Sequence, residues 1–151
     1  MARKVTTKSA KLEEFLCFAV YSANLAFGRV YRPILDKLGL TYTQYVTLVA
    51  MSEEDDQRVG DLGERLFLES NTLTPILKKL EQLGLVERRR DQADERQVRV
   101  NLTTAGRKLR QQVEHSASEL IEATGLGDDF GKVQQTVAQL RDNLLLATKD
   151  T

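Results

Sequence analysis

The stretch SNTLTPILKKLEQLGLVERRRDQADERQVRVNLTTAG, residues 70–106, decides the fold. Its apolar residues recur at intervals of three and four until Gly84, which is the spacing of a helix. Beyond Gly84 the pattern changes to a period of two, which predicts short strands at 85–88 and 98–102. Between these strands, residues 89–97 hold charged and amide side chains and no large apolar one, as in the tip of a hairpin. The stretch therefore predicts a helix followed by a two-stranded hairpin.

A second short helix is predicted immediately before this stretch. Residues 59–68 carry apolar side chains at helical spacing, and a polar turn at 69–72 follows them. Pro75 damages a helix interior but is tolerated in a first turn, so the next helix should begin near residues 70–74. Helix, turn, helix and hairpin in this order are typical of a winged helix-turn-helix, a DNA-binding unit.

The chain before this unit predicts one long amphipathic helix. Apolar residues from Leu12 to Val30 follow one another at helical spacing and form a single seam. Pro33 should end or kink this helix, because proline disfavours helical dihedral angles in the preceding residue. A short turn of helix at 34–38 should then close at Gly39, which is suited to a left-handed helix stop.

Threonine and aspartate side chains predict the starts of three further helices. A polar side chain at the N-cap accepts a hydrogen bond from an N–H group that has no partner inside the helix. The predicted helices begin after Thr41 or Thr43 (running into an acidic loop at 52–57), after Thr103 or Thr104 (running to about residue 123), and after Asp128 or Asp129. The predicted fold class is mainly α with a small β hairpin, in one domain spanning residues 1–151.

Composition excludes several classes of protein. With 151 residues, 41% of them hydrophobic, the chain can form one compact domain but not a large enzyme. A single cysteine excludes a disulfide scaffold. The formal net charge is zero, but residues 70–110 carry ten basic and five acidic side chains, while the segments on either side of them are acidic. A basic segment on an otherwise acidic body favours a surface that binds DNA.

Nothing in the sequence suggests an enzyme, a metal site, a cofactor or a membrane segment. His115 is the only histidine and has no second ligand at metal-binding spacing. There is no glycine-rich phosphate loop and no Ser-His-Asp set. The apolar stretch 15–27 is shorter than the roughly 20 residues of a spanning helix, and Glu13 and Glu14 precede it where a signal peptide would be apolar. We expect a cytoplasmic protein that is not an enzyme.

The predicted recognition helix and hairpin supply the candidate DNA contacts. Short polar side chains at the start of a recognition helix and cations along it suit a major groove. A cation at the hairpin tip suits the minor groove of A·T-rich DNA, and Asp94 can hold the guanidinium of Arg96 in place. The candidates are Ser70, Asn71, Thr72, Thr74, Lys78, Lys79, Asp94 and Arg96. Taken singly these residues also suit ordinary caps and solvated charges, and only their order favours DNA binding.

The single cysteine is the other candidate site. Cys17 lies on the first predicted helix, with Tyr21 one turn later on the same side. A thiolate becomes reactive when hydrogen-bond donors, a helix N-terminus or a cation stabilise it, and tyrosine hydroxyls are such donors. Packing alone is the competing interpretation, because free cysteine is among the most buried residue types.

The segment Asp94–Gly106 resembles the wing signature of the MarR family of bacterial transcription regulators, Asp-x-Arg, a strand, and then Leu-Thr-x-x-Gly. The resemblance extends from Leu62 to Gly106. It implies a homodimer with interlocked N- and C-terminal helices that binds a palindromic double-stranded operator. By this resemblance, roughly residues 10–40 and 104–149 form the dimerisation helices, and roughly 41–103 form the DNA-binding lobe.

Nearly the whole chain resembles the OhrR branch of that family, the organic hydroperoxide-sensing repressors. The resemblance rests on LCFAVY at 16–21, Tyr31, LTY at 40–42 and LTP at 73–75. It implies that Cys17 is the peroxidatic sensor and that Tyr31 and Tyr42 reach the partner subunit's cysteine. Tyr21 would line the same pocket.

This chain departs from the members of the branch that carry a second, resolving cysteine near the C-terminal helices, because residues 121–126 contain none. Oxidised Cys17 would therefore pair with a low-molecular-weight thiol or be oxidised further. A Cys17–Cys17 bond across the dimer requires α-carbons within about 7 Å of each other.

The sequence thus predicts a dimeric repressor that releases its operator when an organic hydroperoxide oxidises Cys17. A MarR-type repressor released by a non-covalent phenolic or other small ligand in the dimer cleft is the first alternative. A thiol peroxidase is the second, although an enzyme has no use for the wing signature.

Overall fold

Two threonine caps start helices at the positions that the sequence predicts. In the computed structural model, which describes residues 10–149, Thr41 Oγ1 accepts a hydrogen bond from the Gln44 N–H at 3.3 Å. The Gln44 side chain accepts the Thr41 N–H in return at 3.0 Å, which completes a capping box. Thr103 Oγ1 likewise accepts the Gly106 N–H at 3.1 Å.

The described chain is mainly helical with one small sheet. Its helices are α1 (Leu16–Leu38), α2 (Tyr42–Glu53), α3 (Val59–Leu66), α4 (Ser70–Gln82), α5 (Thr104–Glu114), α6 (Ala117–Ala123) and α7 (Phe130–Ala147). Its strands are β1 (Gln57–Arg58), β2 (Val86–Arg90) and β3 (Val98–Leu102). Single 3₁₀ turns, Leu12–Glu14 and Gly127–Asp129, precede α1 and α7.

The sheet has three antiparallel strands rather than the predicted two. β2 and β3 form the expected hairpin, and β1 pairs with the other edge of β3, with Gln57 opposite Val100. The Gln57 side chain is buried, and its Nε2 donates to the Ala50 carbonyl at 3.0 Å, which ties β1 to the end of α2. A strand of two residues has no alternating pattern, so the sequence placed these residues at the end of a loop.

α1 passes through Pro33, so the expectation that the proline could end the helix is wrong, and residues 34–38 are the last part of α1 and not a separate helix. The helix continues to Leu38 and closes at Gly39, whose φ of 67° is the predicted left-handed stop. An interior proline costs about 3 kcal/mol because it removes one backbone hydrogen bond. Leu35 lies beyond the proline and is 4% exposed, and this core contact offsets the cost. At the other end, Leu12 precedes the helix in a separate 3₁₀ turn.

Pro75 also lies deeper in its helix than predicted. α4 begins at Ser70, within the predicted interval, so the proline falls in the second turn and not the first. The Asn71 carbonyl loses its helical partner but is on an exposed residue, where water can bond to it. Burial of Leu73 and Leu77 on the opposite side holds the helix in place.

The helix predicted from about 105 to 123 is divided into α5 and α6. His115 and Ser116 separate them, and the Ser116 N–H bonds to the Val113 carbonyl at 3.0 Å. No proline or glycine lies between Gly106 and Gly125 to indicate this break.

The core lies between α2, α3, α4 and the sheet. Its fully buried side chains are Leu48, Met51, Leu62, Leu73, Leu77, Leu80, Val86 and Val100, together with Val113 of α5 and Thr47. α7, in contrast, has no buried residue. Within residues 10–149, no helix combines the length and apolar character needed to cross a membrane.

Candidate DNA-binding face and cysteine site

α4 has one buried face and one polar face. Leu73, Leu77 and Leu80 are at most 1% exposed and pack into the core. The opposite face exposes the predicted contacts Ser70, Asn71, Thr72, Lys78 and Lys79. Thr74 is half-buried, and its hydroxyl donates to the Ser70 carbonyl at 2.7 Å, so only its oxygen lone pairs remain for a further partner. The fold thus presents the predicted polar residues together on the outer side of one helix.

The hairpin tip holds an exposed arginine beside an aspartate. The Arg96 side chain is 90% exposed, and its Nε lies 3.1 Å from Asp94 Oδ1. The same carboxylate oxygen accepts the Arg96 backbone N–H, also at 3.1 Å. Asp94 therefore orients both the backbone and the guanidinium of Arg96, while the tip remains open to a partner.

An ion-pair network anchors the β2–β3 hairpin and its tip, which together form the wing. The sequence did not reveal this network. Asp91 is 5% exposed and accepts the Ala93 N–H at 2.8 Å and Arg99 Nη1 at 3.0 Å. Asp56 accepts Arg89 Nη2 at 2.7 Å, and its backbone carbonyl accepts Arg99 Nη2 at 2.6 Å. The network joins the loop before β1 to both wing strands.

These contacts lower the pKa values of both carboxyl groups. The Ala93 N–H, followed by the Arg99 guanidinium, holds the pKa of Asp91 below its ordinary value. The hydrogen bond from Arg99 does the same for the pKa of Asp56. Arg89 and Arg99 are directly opposite in the β2–β3 register. Like charges at facing strand positions are destabilising, and Asp56 Oδ1 lies within ion-pair distance of both guanidinium groups. This pairing of arginines is the signal that could have identified the network.

Cys17 is exposed and lies at the second position of α1. The first intrahelical bond runs from the Ala19 N–H to the Phe15 carbonyl at 3.1 Å. The N–H groups of the first turn, including that of Cys17, have no partner inside a helix and carry the positive end of its dipole. Because Cys17 is exposed, it is not a core packing residue of its own protomer.

Two of the predicted tyrosines lie together, along with a third that the sequence did not single out. The ring centroids of Tyr31 and Tyr42 are 5.0 Å apart in an edge-to-face arrangement. The Tyr45 ring lies 5.9 Å from Tyr31 and 6.3 Å from Tyr42. Burial, together with the neighbouring phenols of Tyr42 and Tyr45, raises the pKa of Tyr31 to about 12. Tyr31 is therefore a protonated hydrogen-bond donor at neutral pH.

Cys17 and this tyrosine cluster are far apart within one protomer. Tyr31 lies fourteen positions after Cys17 on α1, which corresponds to about 21 Å at the helical rise of roughly 1.5 Å per residue. Tyr21 is one turn from Cys17 on the same helix, and its ring centroid lies 6.4 Å from that of Phe18. Of the predicted tyrosines, the fold brings only Tyr21 near the thiol of its own chain.

α1, α6 and α7 leave a broad apolar surface uncovered. A groove of about 610 Å³ lies between them, lined by Ala19, Ala23, Phe27, Val30, Leu120, Val133, Val137 and neighbouring residues. Further large apolar side chains are exposed on α1 and α7, among them Leu16, Leu25, Leu144 and Leu146. A continuous apolar surface of this kind marks an interaction site.

Comparison with known proteins identifies the family. Residues 29–113 match the family model described as transcriptional regulator SarA/Rot. The HTH-type transcriptional regulator TtmR of Methylorubrum extorquens is 45% identical over 134 residues, which cover 88% of this chain and 69% of that protein. The organic hydroperoxide resistance transcriptional regulator of Bacillus subtilis is 38% identical over 135 residues, which cover 89% of this chain and 92% of that protein.

A solved structure agrees with the sequence comparisons. The structure of reduced AbfR of Staphylococcus epidermidis bound to DNA is 37% identical and covers 86% of this chain and 92% of that one, with a TM-score of 0.75. The predicted winged-helix fold and the predicted family are both confirmed. The chain belongs to the SarA/Rot type of MarR-family transcriptional regulators, on the OhrR-like branch, and it carries one cysteine.

Proposed function

We propose that the chain is a dimeric repressor whose operator affinity is controlled by oxidation of Cys17. The signal class follows from the Bacillus relative, which is named for organic hydroperoxide resistance. The observation that carries the switch is the position of Cys17, exposed in the first turn of α1 and about 21 Å along that helix from Tyr31. A regulator of this kind works in the cytoplasm, on the bacterial chromosome.

The proposed dimer uses residues 10–40 and 104–149 as its dimerisation helices. The apolar groove between α1, α6 and α7 is the surface that a second copy would cover. α7 has no buried residue in one protomer, so a partner is what would give its apolar side chains a core. Residues 41–103 form the DNA-binding lobe in this proposal.

The proposed DNA contacts lie on α4 and the wing. Ser70, Asn71, Thr72 and Thr74 would meet base edges and phosphates in the major groove, with Lys78 and Lys79 along the backbone. Arg96, oriented by Asp94, would enter the adjacent minor groove. In a two-fold dimer the two α4 helices would meet successive major grooves about one helical turn apart.

The proposed sensor is assembled between subunits. Because Tyr31 and Tyr42 are too far from the thiol of their own chain, they would donate to the partner subunit's Cys17, beside the partner subunit's Tyr21. The high pKa of Tyr31 keeps its phenol a donor under all physiological conditions. Donors to a thiolate lower its pKa and so raise the ionised fraction that attacks peroxide.

The proposed reaction is one oxidation per thiol. The thiolate attacks one peroxide oxygen, an S–O bond forms, the O–O bond breaks, and the alcohol leaves after taking a proton. The sulfenic acid then condenses with a low-molecular-weight thiol to a mixed disulfide and water, or is oxidised further. The added group would displace the phenols, shift the dimerisation helices and change the spacing of the two α4 helices.

A gel-shift titration with two variants tests this proposal. Wild-type protein should bind operator DNA when reduced, release it after cumene hydroperoxide, and bind again after a mixed disulfide is reduced with thiol. Cys17→Ser should bind and remain bound in peroxide. Arg96→Ala should bind more weakly but still release, because it removes a DNA contact and not the sensor.

Other outcomes would favour the alternatives. If Cys17→Ser still releases DNA in peroxide, the switch assignment is wrong. If a phenolic acid releases the DNA, and neither added thiol nor Cys17→Ser changes that release, the result would favour a non-covalent ligand. Consumption of many peroxide molecules per subunit in the presence of a reductant would favour a peroxidase.

A further inference from the structure

Tyr45 is the third member of the tyrosine cluster and contacts both of the others. It is on α2, one turn after Tyr42, and its ring contacts both of the other rings, at 5.9 Å from Tyr31 and 6.3 Å from Tyr42. Tyr45 is half-buried, whereas Tyr42 is 45% exposed. The three rings form a triangle. Of its two members on α2, Tyr45 is more buried than Tyr42.

Tyr45 is held by the core on one side and lies under the influence of a hydrogen-bonded arginine. Tyr31 and Tyr45 both pack against the buried core, Tyr31 from α1 and Tyr45 from α2. The charge of Arg110 on α5 acts on the Tyr45 phenol, and Arg110 is itself held by its Nε donating to Ser52 Oγ at 3.0 Å. Tyr45 therefore links α1 and α2 through its ring, and the charge of an α5 residue acts on its phenol.

A tyrosine side chain has two rotatable bonds before its hydroxyl, so the direction of the phenol depends on what packs against the ring. Tyr31 packs against the core, but Tyr42 is exposed and lies on a different helix, so their edge-to-face contact alone leaves the Tyr42 ring free to turn. A third ring in contact with both removes that freedom, because aromatic pairs have preferred offsets and tilts. We propose that Tyr45 is a positioning residue, which fixes the direction in which Tyr31 and Tyr42 present their hydroxyls to the partner subunit's Cys17. This inference rests on the proposed redox function.

The protonation of the cluster is consistent with that role. Burial raises the pKa of Tyr45, and the Tyr45 phenol in turn contributes to the raised pKa of Tyr31. Both groups are therefore neutral donors at physiological pH, and neither places a negative charge beside the thiolate.

The test uses the full-length reduced dimer and follows Cys17 oxidation by cumene hydroperoxide as a function of pH. Tyr45→Leu should raise the midpoint pH of Cys17 reactivity by about one unit. At pH values well below both midpoints it should slow oxidation about tenfold, since there one unit is a tenfold change in thiolate fraction. Tyr45→Phe keeps the ring and should behave as the wild type. Leu66→Ala, a substitution at a core-packed position of α3, is a control for general destabilisation. It should lower the melting temperature without moving the midpoint.

Tyr31→Phe separates this inference from the proposed function. If Tyr31→Phe raises the midpoint and Tyr45→Leu does not, Tyr45 is not a positioning residue and the sensor stands. If neither changes the midpoint, the tyrosine sensor itself is wrong. A Tyr45→Phe protein that behaves like Tyr45→Leu would overturn the role of the ring. Tyr45→Met, which fills the site with a flexible apolar chain, replaces Tyr45→Leu if the latter fails to fold, with the same expected shift.

Discussion

Gly106 explains why the wing signature ends in glycine, and its replacement gives a quantitative prediction. Gly106 is the third residue of α5 and faces Leu85, the residue just before β2. A Cβ atom at this position would lie 2.1 Å from the Leu85 carbonyl oxygen and 3.2 Å from Leu102 Cδ2. Ordinary contacts of this kind begin at 3.4 Å, so the overlap with the carbonyl exceeds an ångström.

The carbonyl cannot easily move away. Leu85 O accepts the Thr103 N–H at 3.1 Å, the bond that joins the start of the wing to the start of α5. Overpacking costs about 1–3 kcal/mol, and loss of that hydrogen bond about 1 kcal/mol more. The better helix propensity of alanine returns about 1 kcal/mol. We therefore expect Gly106→Ala to lower the free energy of unfolding by about 1–3 kcal/mol.

Thermal and urea unfolding at a fixed protomer concentration measure this effect. A loss of this size lowers the melting temperature by about 2–12 °C in a chain of this length. Gly60→Ala is the matched control, because it also lies near a helix start but nothing is within 4 Å of its Cβ position. It should be neutral or stabilising by up to about 1 kcal/mol. A Gly106→Ala protein as stable as Gly60→Ala would refute the reasoning.

Two further predictions concern the ion pairs and the packing around the DNA-binding lobe. Because the folded-state pKa values of Asp56 and Asp91 are lowered, the stability that they provide is present above their ordinary value of 3.8 and is lost as the pH falls below it. Urea unfolding between pH 3 and 7 should show this loss, and Asp91→Asn should show less of it; equal losses in both proteins would contradict the role of Asp91. The guanidinium of Arg141 on α7 lies 4.4 Å from the centre of the Phe67 ring, at the end of α3, so a double-mutant cycle of Arg141→Ala and Phe67→Leu should give a coupling of about 0.5–1 kcal/mol. Additive effects of these two substitutions would show that the contact contributes nothing.

Much of the fold could be predicted because its signals are local. Thr41 and Thr103 cap helices through side chains only three residues from their partners. The change from helical spacing to alternation at Gly84 located the wing, since period alone distinguishes a helix from a strand. Five of the candidate DNA contacts on α4 are exposed because helical spacing places the buried Leu73, Leu77 and Leu80 on another side of the helix. These features need no knowledge of the rest of the chain.

Other features depend on contacts between distant segments. β1 exists because Gln57 pairs with Val100, and α1 continues past Pro33 because Leu35 is buried in the core. Local propensity argued against both, and tertiary contacts decided them. The anchoring of the wing by Asp91 and Asp56 has the same origin, because the arginines that these carboxylates bind meet only when the strands pair.

The candidate cysteine site also has one part that the sequence predicts and one part that depends on tertiary contacts. The sequence by itself supplied Cys17, Tyr21, Tyr31 and Tyr42, because their residue types and the resemblance to the OhrR branch are properties of the chain. Only the tertiary structure added Tyr45 to the cluster and placed the cluster about 21 Å along α1 from the thiol. The physical reason is that periodicity fixes which face of a helix a residue occupies, whereas the packing of one helix against another decides which faces meet.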